Sequence, residues 1–293
     1  MNPVSRESAL VRAMPAVFVL IWATGFIVAR YGMPHAPPMK FLAVRYVLSV
    51  LCFLMWSLAA RAAMPSGRKQ LTHLAVTGIL MHAGYLGGVW AAVKLGMGAG
   101  LVALLVGLQP VLTGMWVSSR GGAVSARQWS GLALGFGGLA LVVWQKLGVG
   151  EIHAANFMLA VIALLSITAG TLYQKRFVAP CDVRTASLVQ LCAAFAVTLP
   201  LALLETEPMQ WGAQLAGAMA WSVLALTLGG SSLLYLLIQR GAATAVTSLL
   251  YLVPPTTALM AWVLFAEPIT VYTVAGMALA AVGVSLVVRS PAA

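Results

Sequence analysis

The feature that most constrains this chain is a succession of long apolar runs. Many of them reach the roughly 17–25 residues that span a hydrocarbon core. Ten runs are legible, at about 14–32, 40–60, 71–93, 97–119, 127–146, 155–177, 184–204, 214–239, 242–265 and 270–288. The connections between them are short and hold the breakers: Pro34, Pro37 and Pro38; Pro65 and Gly67; Gly121 and Gly122; Gly148 and Gly150; Pro180; Pro208; Pro268. Only 8% of the residues are charged, where a soluble domain carries about 25%. A soluble core cannot use that much apolar surface, but a bilayer can. Strands of a membrane barrel would alternate over about ten residues, and no such pattern occurs. The first run follows Arg6 and Arg12 as a signal peptide would. It continues to about Arg30, too long for a signal h-region, and is read as the first helix. The expected fold is all-α and membrane-integral, with ten transmembrane helices.

Charge placement predicts orientation. With the N-terminus in the cytoplasm, twelve basic residues fall inside: Arg6, Arg12, Arg61, Arg68, Lys69, Arg120, Arg127, Lys175, Arg176, Arg184, Arg240 and Arg289. Four fall outside: Arg30, Lys40, Lys94 and Lys146; Arg45 falls within the second run. Cytoplasmic loops carry such an excess, so both termini are expected in the cytoplasm. The net charge of +11 is thereby read as a topology signal. Nucleic-acid binding would need basic residues clustered on one face, so no nucleic-acid partner is expected. Cys52 and Cys192 lie in apolar runs and Cys181 in a loop, with no metal or redox spacing.

The chain repeats itself at a shift of 145 residues. Gly131–Val143 falls on Gly276–Val288 with seven of thirteen positions identical. The same shift puts Gly96 on Gly241, Leu104 and Leu105 on Leu249 and Leu250, Pro110 on Pro255, and Met115 on Met260. Two five-helix units follow, 14–146 and 155–289. Five is odd, so the second unit must enter the membrane inverted. The loops agree: Arg61, Arg68 and Lys69 lie near the counterparts of Glu205 and Glu207, and the Arg120–Arg127 loop near that of Glu267. Inverted repeats are an architecture of secondary transporters, with the solute near the midplane.

Ionisable groups inside the spans are few. Arg45 is either an anchor for a solute carboxylate or a side chain snorkelling from near the outer face. His82 could move protons or bond a neighbouring helix. Glu267 ends the ninth run as a cap or interfacial group. None of the six acids lies deep in a span. Polar faces occur at His82 and Tyr85, at Ser166, Gly170 and Tyr173, at Ser231, Tyr235 and Gln239, and at Thr244, Thr247, Ser248 and Tyr251. They serve either interhelical hydrogen bonds or a cavity. Pro110, Pro254 and Pro255 predict mid-helix kinks that free carbonyls, as hinges or as static bends. Gly84/Gly88, Gly96/Gly100, Gly131/Gly135 and Gly276/Ala280 suit close helix packing or a dimer contact.

Several motifs together resemble the drug/metabolite transporter superfamily, and within it the ten-helix EamA-like amino-acid and metabolite exporters. They are Ile21-Trp-Ala-Thr-Gly-Phe26, Arg45, Gly98-Ala-Gly100, Leu108-Gln-Pro-Val111, Glu267-Pro-Ile-Thr270 and Gly276-Met-Ala-Leu279. The first half departs from the pattern, because Gly122 stands where the second half has Glu267. The resemblance implies a central cavity lined by helices 1, 3, 4, 6, 8 and 9. That nominates Trp22, His82, Tyr85, Tyr173, Tyr235, Ser248 and Tyr251 as solute-binding, and the aromatic side chains point to the aromatic amino-acid branch. It implies an exporter of small neutral or zwitterionic metabolites in the cell inner membrane, working by alternating access as a monomer or homodimer, with no cofactor or metal. A proton-coupled multidrug-cation exporter on the same fold is the alternative, but a buried carboxylate for that exchange is missing. An enzyme is not expected: there is no phosphate-binding Gly-x4-Gly-Lys motif, no His-Glu-x-x-His and no Gly-x-Ser-x-Gly.

Overall fold

The computed structural model describes residues 9–119, 125–148, 150–230, 233 and 252–288. Those residues are helical, with no strand among them. The breakers set the helix ends. Helix α1 runs Ala9–Gly32 and α2 runs Pro38–Ala59, with proline in its first turn, where no intrahelical N–H bond is lost. Helix α3 consists of Arg68–Gly78, a π-helical segment Ile79–Gly84, and Tyr85–Lys94. Gly96, with φ of 91°, turns the chain into α4, which has two pieces, Ala99–Val106 and Gln109–Ser119. Helices α5 (Ala126–Gly148), α6 (Ala154–Phe177) and α7 (Val183–Leu204) follow. Helix α8 is Ala213–Trp221 continued by a π-helical segment, Ser222–Gly230. Helices α9 (Val253–Phe265) and α10 (Val271–Val288) complete the described chain.

Seven of the described helices are long and apolar enough to cross a membrane: α2, α3, α4, α5, α6, α7 and α8. Ala16–Gly32, Val253–Phe265 and Val271–Leu286 are shorter apolar helices. Large apolar side chains point outward along them. Val271, Trp144, Leu204 and Leu203 are each at least three-quarters exposed, a surface that suits lipid and not water.

Two pairs of helices related by the 145-residue shift, α2 with α7 and α5 with α10, pack together and run antiparallel. At one end of α2, the N–H groups of Met39 and Lys40 donate to the Glu205 carboxylate, just past the end of α7 (3.0 and 2.8 Å). At the other end, Thr185 in the first turn of α7 donates to the carbonyl of Ala63, just past α2 (2.9 Å). Helices α5 and α10 cross through glycines. A Cβ on Gly138 would strike the Gly276 carbonyl, and a Cβ on Gly283 would strike the Gly131 carbonyl. The second contact is the first with both residues shifted by 145. Small residues allow backbones this near in a membrane.

The π-helical segments obey the same shift. Ile79–Gly84 maps onto residues 224–229, within Ser222–Gly230. Such wide turns are frequent at functional sites.

The prolines do not sit as the sequence predicts. Pro110 is not a kink in a continuous helix. Helix α4 stops at Val106, and Pro110 is the second residue of its second piece. Pro254 and Pro255 fall in the first turn of Val253–Phe265. Proline lacks an N–H that this turn does not need, so it restarts a helix at low cost. The end of the first piece of α4 meets the start of α9: a Cβ on Gly107 would lie 2.8 Å from Cγ of Pro254.

Candidate functional site at the crossing of the halves

Arg45 is the eighth residue of α2, about 10 Å along it at 1.5 Å per residue. It does not snorkel to an interface. It is buried, with 6% of its surface exposed. Its Nε and Nη2 donate to Thr227 Oγ1 at 3.3 and 3.1 Å. Thr227 lies in the π-helical segment of α8 and donates its own proton to the Ser222 carbonyl (2.8 Å). Its oxygen is therefore held as an acceptor for the guanidinium.

A second polar crossing stands beside the first. His82, in the π-helical segment of α3, faces the side chain of Gln190 on α7. The 145-residue shift maps Arg45 to Gln190 and His82 to Thr227. The two crossings are thus one contact, repeated with the halves exchanged. Tyr46 Oη donates to the His82 carbonyl (2.9 Å), and its ring meets the imidazole edge-on at 6.3 Å. Tyr46 and Tyr85 stand within electrostatic reach of the guanidinium, and Tyr85 is buried. Ser49, one turn along α2 from Arg45, is buried, as is Ser222. Their hydroxyls have no hydrogen-bond partner among the described residues.

No carboxylate reaches Arg45 among the described residues. Of the chain's six acids, five are engaged elsewhere. Glu205 caps α2. Glu207 pairs with Lys94 at 2.7 Å, and its carbonyl accepts from Lys40 Nζ at 2.7 Å. Glu151 accepts from Gly98 N (3.0 Å) and from Lys146. Glu267 accepts from Ala99 N and Gly100 N (3.1 and 3.4 Å) and lies 3.9 Å from Arg30. These four glutamates share one end of the molecule with Arg30, Lys40, Lys94 and Lys146. Glu267 is thus a helix cap, but for α4 of the other half. Its closeness explains Gly98, where a Cβ would lie 2.6 Å from Glu151 Oε1 and 2.8 Å from Glu267 Oε2. A cavity of about 20 Å³ lies here, lined by Lys146, Glu151, Glu267 and Thr273 among others. It has room for about one water and is no solute site.

The fifth acid, Asp182, lies in the connection before α7 at the opposite end. It accepts from Arg184 N at 2.9 Å and from Nη2 at 2.6 Å. The Arg184 side chain holds this carboxyl below the usual carboxylate range. Burial pushes the neighbouring Cys181 thiol up. Glu7, Tyr235, Ser248 and Tyr251 lie outside the described residues.

Two of the nominated side chains stand apart from the Arg45 group. Trp22 is half-buried on α1 against Phe18, with ring centroids 5.4 Å apart. Tyr173 belongs to another cluster. Its hydroxyl bonds His73 Nδ1 (2.8 Å), with Phe177 stacked on His73 at 5.3 Å. His73 precedes His82 by nine residues, about 13 Å of helix. Tyr173 ends α6, and the bond it needs is at hand there. The sequence missed Thr227, Gln190 and Tyr46. The repeat held a signal for the first two, since it superposes polar on polar residues within apolar runs.

The comparisons with known proteins follow this geometry. The EamA-like transporter family matches residues 13–144 and again 155–289. The probable amino-acid metabolite efflux pump of Salmonella typhimurium is 29% identical over 161 residues, 54% of this chain and 51% of that protein. The chain thus spans about half the length of that relative. The Bacillus subtilis transporter YvbV is 25% identical, with 93% of this chain and 89% of that one covered. The Escherichia coli inner membrane transporter YedA is 25% identical over 72% of this chain and 68% of its own length. A crystal structure superimposes with a TM-score of 0.63 at 18% identity, covering 97% of this chain and 98% of the other, a likeness of fold alone. With both halves matched by one family and the apolar helices in place, this multi-pass membrane protein belongs to the EamA-like transporter family, within the drug/metabolite transporter superfamily.

Proposed function

We propose that this chain is a secondary transporter that exports small neutral or zwitterionic metabolites, amino acids foremost, across the cell inner membrane. Its ten spans form two inverted five-helix repeats, 14–146 and 155–289, with both termini cytoplasmic. The halves rock about a midplane path in alternating access. The observation that carries this reading is the exchanged contact: Arg45 with Thr227, and Gln190 with His82. Two polar crossings related by the repeat, α2 with α8 and α7 with α3, each join one half to the other, where a rocking motion needs its pivot. The broken α4 and the prolines of α9 meet each other and supply the hinges. The name of the Salmonella relative supports amino acids as the cargo, and Tyr46 and Tyr85 support an aromatic one. A buried arginine with no acid beside it disfavours lipophilic cations, which it repels.

Purified protein in proteoliposomes tests this. Labelled phenylalanine is expected to cross by counterflow, at a rate unchanged by an imposed pH gradient, since no span holds a titrating carboxylate. Movement of lipophilic cations alone, driven by protons, would overturn the reading.

A further inference from the structure

We infer that Arg45 is the solute's anchor and that it recognises a carboxylate, with no requirement for an ammonium group. This deepens the transport reading above and rests on it.

A guanidinium is always ionised and has five N–H donors. Arg45 spends two of them on one hydroxyl, and no other acceptor reaches it among the described residues. An ion taken out of water without a counter-ion is costly, and such a residue inside a membrane marks a functional site by default. No counter-ion reaches Arg45 among the described residues. Five of its six acids are bonded at the two ends of the molecule, and Glu7 precedes α1. The solute must bring it.

The surroundings fit a planar anion. Arginine grips a carboxylate through two parallel N–H bonds. Thr227 fixes the guanidinium by one edge, as a positioning residue. Ser49 stands one turn away with an unspent hydroxyl, and Ser222, whose carbonyl holds Thr227, carries another. The repeat makes the specificity one-sided. The position equivalent to Arg45 is Gln190, which is neutral and faces His82. One cation and no anion therefore face the path. An α-ammonium finds no opposite charge there, so it contributes nothing that an amide would not.

Equilibrium binding to the purified full-length protein tests this with the amino acids, their N-acetyl derivatives and their C-terminal amides as probes. Acids and N-acetyl acids are expected to bind and amides to fail. Arg45→Met is expected to weaken acid binding roughly 10- to 100-fold, the range for a hydrogen bond to a charged group. Arg45→Lys keeps the charge without the fork and falls between. A purely structural arginine would lower the melting temperature on replacement. An anchor without its counter-ion leaves the unliganded Arg45→Met protein as stable as the parent, or more so. Amides that bind as well as acids, no acid binding at all, or acid binding untouched in Arg45→Met would each overturn the inference. Flux separates this failure from that of transport. Acids that bind but never cross refute the transporter reading, whereas amides that cross refute only the anchor.

Discussion

At the scale of the residue, the placement of charge is the main result. Arg30, Lys40, Lys94 and Lys146 run against the basic-inside bias, and each is engaged by a glutamate residue at its own end of the molecule. Arg45 has no such partner among the described residues. Asp182 shows the opposite situation, an acid paired at a helix start near water. Its folded pKa is depressed by Arg184. It therefore adds stability above the ordinary carboxylate range, and that contribution is lost as pH falls through the depressed value, below roughly pH 4. Asp182→Asn keeps a capping oxygen but loses the charge. We expect the variant to melt below the parent at pH 7, with the gap closing at pH 3, as thermal unfolding in detergent would record.

At the scale of the element, glycine marks where helices touch. A Cβ on Gly138 meets the Gly276 carbonyl and lies 2.9 Å from the Ala280 nitrogen, while Gly137, one residue away, has open space. Gly138→Ala is expected to cost about 1–3 kcal/mol by overpacking. Gly137→Ala is expected to gain up to about 1 kcal/mol through helix propensity. Paired melts in detergent check both, and equal effects would deny the close α5–α10 crossing. The helix ends were legible in the sequence because proline, glycine and charge punctuate apolar runs. The break in α4 was not. Pro110 announces an interruption, but whether a helix bends there or stops depends on Pro254, which packs against Gly107 from 147 positions away. The π-helical segments left no sequence mark either, since wide turns are chosen by tertiary contacts. The bond between Tyr173 and His73 was not legible either, because a tyrosine on a polar face bonds whichever partner the fold brings nearest.

At the scale of the whole molecule, the pairing of α2 with α7 and of α5 with α10 turns a pattern in the sequence into contacts in space. In alternating access the Arg45 crossing opens in turn to the two sides of the membrane. Ser49 is the probe for it, being buried and unbonded beside Arg45. With Cys52, Cys181 and Cys192 replaced, Ser49→Cys can be tested with a membrane-impermeant thiol reagent applied to right-side-out and to inside-out vesicles. We predict labelling from either side and protection from both by a solute carboxylate. Labelling from one side alone, or from neither, would contradict alternating access through this crossing.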